Sequence, residues 1–209
     1  TRAKWAYVLG HTSAGDGGGG IFFWDSTSTR PDNNGTVIKA TSATTGRWKR
    51  NIAPYESIRA AWFGIFPLDF ETTYDGRVHG AAIQNLINVA GGGREILFDS
   101  GIYYIDQTLL NPLDPNEPTG RGKSICLRGV DGDFNTYSKA LRHTVFVATG
   151  TISAGNAILD LSPGATTRIG LWKSTISGIM FKGSGANIGQ IGIITDCLLE
   201  TNITDCAFT

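Results

Sequence analysis

The chain has 209 residues, 41% of them hydrophobic and 17% charged, a balance that buries a core and excludes a disordered chain. Eighteen basic and eighteen acidic side chains cancel, so no global field favours a nucleic-acid backbone or an anionic membrane. No run of 18 apolar residues is present, which excludes a membrane-spanning helix read from hydropathy.

Twenty-eight glycines, abundant Thr, Ser and Asn, and a single methionine predict many turns and short strands. The first segment alternates β-type runs, "AKWAYVLG", "GIFFWDS", "GTVIKAT" and "GRWKRNI", with turn clusters, and predicts a small antiparallel β module. Within it "RPDNNGT" suits a reversal, so a hairpin from Ile21 to Lys39 is expected.

The stretch "AGDGGGGIFFWDS" matches G-x-G-x-x-G at Gly15, Gly17 and Gly20. A dinucleotide loop must open a helix, whose N-terminal amides hold the pyrophosphate. Here an aromatic run of strand character follows, so the glycines read as the approach to a β-strand. "GRGKS" at 120–124 fails as a P-loop, because Glu117 stands where a glycine is required and "ICLRGV" follows in place of a helix.

"NIAPYESIRAAWFG" reads as a linker ending in Trp62 and Phe63. Beyond it Ala82, Ile83, Leu86, Ile87 and Ala90 fall at helical spacing, and Gly91 ends the stripe. This is the clearest helix in the chain. "REILFDSGIYYIDQTL" then predicts strands at Glu95 to Phe98 and Ile102 to Ile105, joined at Asp99-Ser100-Gly101. Only short strands follow. "STISGIMFK" and "TNITDCAFT" align at a spacing of 27 residues, Ile176 with Ile203, Ile179 with Cys206 and Phe181 with Phe208, with a bend implied between Ile176 and Ile179.

"WFGI", "AAIQNLINVAGGGREILFDSGIYYI" and "SICLRGVDGD", in this order over residues 60 to 132, resemble the start of the pectate-lyase-like right-handed parallel β-helix proteins. The preceding β-rich module is similar to the one found ahead of such β-helices in bacteriophage tailspike and tail-fibre proteins. The sequence departs from the family at Tyr74-Asp75-Gly76-Arg77-Val78-His79, where Asp-Asp-Thr is usual, and at Asp99, where proline is usual.

The resemblance implies a mainly β protein: a small N-terminal antiparallel β module at 1–55, a linker and one capping helix at 56–92, and the first coils of a right-handed parallel β-helix at 93–209. Because the sequence stops in mid-repeat, continuation past Thr209 is expected. The implied function is that of the N-terminal part of a phage tailspike in the virion tail, extracellular. It is expected to be a homotrimer, with phage tail or baseplate proteins and bacterial surface polysaccharide as partners, and no nucleic acid or membrane insertion. The alternative is a secreted bacterial β-helix polysaccharide lyase or glycoside hydrolase.

Carboxylates would carry such chemistry. Asp131, Asp133, Asp196, Glu200 and Asp205 are the candidates; a turn beside Gly132 outweighs a site for Asp131 and Asp133, a turn or coil-edge position does so for Asp196 and Asp205, and no catalytic residue is assigned. Asp69, Glu71 and Asp75 cluster beside Tyr74, where a solvated loop outweighs a cation site, so no metal and no cofactor is expected. His11, His79 and His143 are scattered and read as surface or turn residues. Cys126, Cys197 and Cys206 fit neither a disulfide framework nor a metal site and read as buried thiols. Of the aromatics Phe22, Phe23, Trp24, Trp48 and Trp172, which could stack on sugars, Trp24 and Trp48 are favoured for a trimer or virion-adaptor interface.

Overall fold

The computed structural model describes residues 5–70, 72–90, 93–111, 124–130, 143–162, 174–185, 189–195 and 201–209. Its first unit is a four-stranded antiparallel sheet of β1 (Trp5–Val8), β2 (Gly20–Asp25), β3 (Val37–Ile38) and β4 (Arg47–Arg50), in the order β1-β2-β4-β3. The expected hairpin from Ile21 to Lys39 does not form. Strand β2 pairs with β1 and β4, and β3 lies beyond β4. The reason is local: Asn33 Oδ1 accepts the N–H groups of Gly35, Thr36 and Val37, while the Asp32 carboxylate accepts those of Asn34 and Lys39. The loop therefore folds on itself instead of closing a ladder onto β2.

The glycine run leads into a strand, as its sequence context predicts, and the structure shows what the glycines accommodate. The Asp16 carboxylate accepts N–H groups from Ser13, Thr12, His11 and Gly18, which hold it well below the usual carboxylate range. Arg50 then crosses beneath: its guanidinium donates to the carbonyls of Gly19 (2.7 Å), Gly18 (2.6 Å) and Gly35 (3.3 Å). A Cβ on Gly20 would run into this guanidinium. The same guanidinium lies 4.7 Å from the Phe22 ring centre and 4.5 Å from that of Trp62. Burial pushes Arg50 down to about 10, so it stays charged at neutral pH, held by carbonyl dipoles and two aromatic faces. Because Trp62 belongs to the core of the next unit, Arg50 welds the sheet to it.

The second unit is a parallel β-helix. Strand β5 (Ile58–Arg59) and a 3-10 turn at Ala60–Phe63 precede helix α1 (Gly80–Ala90). The first coil is β6 (Glu95–Leu97), β7 (Gly101–Ile105) and β8 (Leu109–Leu110), and the second is β9 (Cys126–Arg128), β10 (Thr144–Ala148) and β11 (Ala157–Asp160). The third is β12 (Thr175–Ser177), β13 (Ile179–Lys182) and β14 (Ile191–Ile194), with β15 (Asn202–Thr204) and β16 (Ala207–Phe208) beginning a fourth. They stack into three parallel sheets, β5-β6-β9-β12-β15, β7-β10-β13-β16 and β8-β11-β14.

Each sheet carries a ladder of apolar residues in register. Ile58, Ile96, Leu127, Ile176 and Ile203 form one, and Leu109, Leu159 and Ile193 another. In the third, Tyr103, Phe146, Phe181 and Phe208 succeed one another at ring separations of 5.7, 5.8 and 5.5 Å. The repeat read from the sequence is thus real, with Ile176 opposite Ile203 and Phe181 opposite Phe208. The bend falls at Gly178 (φ 65°) and at its counterpart Asp205 (φ 51°), both left-handed.

A parallel coil stacked at the end of a solenoid leaves one strand edge open on each face. All three are sealed here. Strand β5 pairs with β6, Ile58 opposite Ile96. On β7, Leu68 exchanges two hydrogen bonds of 2.8 Å with Ile102 in an antiparallel bridge. Next to it the His79 N–H donates to the Tyr104 carbonyl (2.7 Å) while His79 Nδ1 accepts the Tyr104 N–H (3.0 Å). On β8 the Gln84 side-chain amide acts as a substitute peptide: Nε2 donates to the Leu110 carbonyl (2.8 Å) and Oε1 accepts the Leu110 N–H (2.6 Å).

Helix α1 brings Gln84 there because Ile83, Leu86 and Ile87, each 0% exposed, pack into the coil core. Burial of this kind contributes about 1.5–3 kcal/mol per side chain. Ala82, expected in the stripe, is exposed, and Gly80 takes the buried turn instead, its N–H donating to Asp106 Oδ1. His79 and His143 are buried at 4% and 7% exposure, against the expected surface positions. His79 is drawn inside because its ring satisfies two backbone groups, Nε2 donating to the Phe66 carbonyl at 2.9 Å.

Two outcomes follow. Replacing Arg50 by Met leaves three carbonyls without their donor and is expected to lower unfolding free energy by about 3 kcal/mol, with little recovery in Arg50→Lys, as chemical denaturation will show. The second concerns acid. Burial, ahead of all other influences, lowers the His79 pKa from its ordinary 6.5, so the unfolded chain takes up a proton more readily than the folded one. The stability held by neutral His79 is complete above about pH 6.5 and is lost as pH falls below it. Melting curves across this range are expected to slope less in His79→Gln, the His143 contribution being common to both proteins.

Candidate functional site

Alternation in the N-terminal sheet separates its faces. Phe22, Trp24, Trp48 and Arg50 share one face, which packs toward Trp62. Trp24 and Trp48, the aromatics favoured as an interface, face each other across β2 and β4 at 5.4 Å and are half-buried. The opposite face presents Trp5, Tyr7, Ile21 and Phe23, with Trp5 and Phe23 5.8 Å apart. Trp5 is 58%, Tyr7 73% and Ile21 47% exposed, with Leu9 exposed just beyond β1. Singly, exposed apolar residues need no explanation, but grouped on one sheet face they mark an interaction surface. The sequence reading did not single out Trp5 and Tyr7. Their signal was alternation, large apolar residues at positions 5, 7 and 9.

This face continues into a cleft of about 580 Å³ that runs between the sheet and the capping helix. Phe23, Val37 and Lys49 line its sheet side, Val89 and Ala90 its helix side, and Arg30 and Arg94 also border it. Lys49 is paired with Asp25 at 2.6 Å, a contact that, with the Thr27 hydrogen bonds, lowers the Asp25 carboxyl to about 2.

The sequence-predicted candidates do not gather into one site. Asp131, Asp133, Asp196, Glu200, Glu71, Cys197 and Trp172 lie outside the described residues. Asp205 sits exposed at the coil corner, in keeping with its turn reading. Asp69 and Asp75 are both exposed, and Asp75 pairs with Arg77 at 3.3 Å, while Tyr74 packs on Tyr104 at 4.2 Å. Among the described residues no three His, Cys, Asp or Glu side chains come together as a metal site, and no helix is long and apolar enough to cross a membrane.

His11 is exposed, its ring bridging Thr12 and the Asn34 carbonyl. Cys126 and Cys206 are half-buried, less enclosed than expected, and burial pushes the Cys126 thiol up. The described carboxylates of the β-helix serve structure: Glu95 accepts from Ser57 and pairs with Arg128, Asp99 pairs with Arg59, and Asp106 holds the start of α1.

No curated protein matches the chain. A family model for the phage tail protein small four-stranded β-sheet domain matches residues 2–53, the segment that forms β1 to β4. Among solved structures, the tailspike protein of Acinetobacter baumannii bacteriophage Fri1, a capsular polysaccharide depolymerase, superposes with a TM-score of 0.59 at 16% identity. That match covers 99% of this chain and 40% of the tailspike. The enzymatically active domain of tailspike protein 2 from bacteriophage CBA120 superposes with a TM-score of 0.54 at 18% identity, over 92% of this chain and 23% of that one. The chain therefore spans well under half of either protein. Over nearly all its length it shares the fold of these tailspikes, and its N-terminal sheet falls in the segment that matches the phage tail four-stranded β-sheet domain.

Proposed function

We propose that this chain is the N-terminal part of a homotrimeric phage tailspike. In this reading residues 1–55 attach the spike to the tail, 56–92 link and cap, and 93–209 begin a β-helix that presents the spike to host surface polysaccharide outside the cell. The observation that carries the reading is the two-faced N-terminal sheet: on one face Arg50, held by the sheet's own loop carbonyls, packs on Trp62 of the β-helix unit, and the other leaves Trp5, Tyr7 and Ile21 to solvent. A sheet fixed on one side and apolar on the other suits a permanent attachment. The match to a phage tail β-sheet domain and the fold shared with a capsular polysaccharide depolymerase support the same assignment. No catalytic role is given to the described carboxylates, of which Glu95, Asp99 and Asp106 are engaged in pairing the coils and the cap.

Light scattering is expected to give about three chains per particle, a monomer counting against the spike. The decisive experiment removes residues 5–50 from the protein produced during infection. Immunogold labelling is then expected to leave the tails bare, with the shortened protein in the lysate. Tails labelled as in the wild type would overturn the attachment role.

A further inference from the structure

The cleft beside the exposed sheet face has a one-sided charge. Arg30, Lys49 and Arg94 bring cationic side chains to its lining, while Arg50, which also borders it, turns its guanidinium to the opposite face of the sheet; no acidic residue lines it. Lys49 has its counter-charge in Asp25, and Glu56 acts on Arg50 from a distance. Arg30 and Arg94 have no ion-pair partner among the described residues; Arg94 reaches only the Pro54 carbonyl, at 3.4 Å. In a chain of zero formal net charge this is a local concentration of positive potential. Guanidinium groups bind carboxylates through paired parallel hydrogen bonds, so two of them on one cleft select a ligand with acidic groups.

The rest of the lining says what lies between those groups. Phe23, Val37 and Val89 give the cleft an apolar floor, and Phe23 joins it without a break to Trp5 on the exposed face. A sugar ring can stack on Phe23 and bond to Asn33, Thr36 and Asn51, but the apolar surface that runs from Phe23 to the exposed Trp5, Tyr7 and Ile21 is broader than a sugar's CH face, and a peptide can lay an apolar side chain on it and direct carboxylates to the guanidinium groups.

We infer that the cleft between the N-terminal sheet and the capping helix binds an acidic, aromatic-bearing peptide segment of a partner protein. Its carboxylates sit on Arg30 and Arg94 and its apolar side chain on Phe23. Placing that partner in the tail rests on the attachment role proposed above; the chemistry of the cleft does not.

The test is an NMR titration of the isotopically labelled 209-residue chain with a short synthetic peptide of glutamates around one tryptophan, and separately with oligogalacturonate. The peptide is expected to shift the amides of Asn33, Asn51 and Ala90, less so as salt rises from about 0.05 to about 0.3 M. Reversing both charges, Arg30→Glu with Arg94→Glu, is expected to weaken it by roughly tenfold or more. Should the reversal lower the melting temperature, Arg30→Gln with Arg94→Gln gives the same comparison. Absence of shifts, indifference to the substitutions, or stronger binding of oligogalacturonate at these amides overturns the inference. Labelled tails in particles carrying the charge-reversed protein would also overturn it as the tail contact, while leaving the attachment role, tested by the deletion of residues 5–50, intact.

Discussion

Everything in this chain depends on closing one end of a stack. A β-helix coil is stable because its neighbours above and below take up its backbone hydrogen bonds and bury its inward side chains, and the first coil has no neighbour below. Here a different device closes each face: a two-residue strand on the first sheet, the Leu68 bridge and His79 on the second, and the Gln84 amide on the third. Two of the three use a side chain in place of a peptide group. The ladders of Ile96, Tyr103 and Leu109 can begin where they do because helix α1 supplies Ile83, Leu86 and Ile87 as their lower layer.

The features legible in the sequence were those that repeat. The stripe of Ile83, Leu86, Ile87 and Ala90 announced the helix, and the match of Ile176 with Ile203 and of Phe181 with Phe208 announced the coils. Why the repeat showed only once is now plain. In-register positions Ile96, Leu127, Ile176 and Ile203 are separated by 31, 49 and 27 residues, so insertions between earlier strands hide the period. Insertions at coil corners disturb no ladder, so the fold tolerates them while the pattern is lost.

What was illegible were one-off substitutions of side chain for backbone. Nothing in the composition around His79 or Gln84 distinguishes a residue that seals a strand edge from one in solvent. The β2 partner departs from the expected hairpin for a related reason, since Asn33 satisfies three amides that a hairpin would use. The exposure of Trp5 and Tyr7 was equally hidden: alternation defines two faces, and only the position of Trp62 decides which is covered.

The Arg50 joint has a mechanical consequence. Its guanidinium grips the loop before β2, the loop before β3 and the Trp62 ring at once, so no single freely rotating bond separates the sheet from the coil stack. A sideways load on the distant end of the β-helix reaches the sheet through the guanidinium on the Trp62 ring and the His11–Phe66 ring contact, not as bending of a tether. The N-terminal unit and the coils then turn as one lever, and the direction in which the β-helix points is set where the sheet is held.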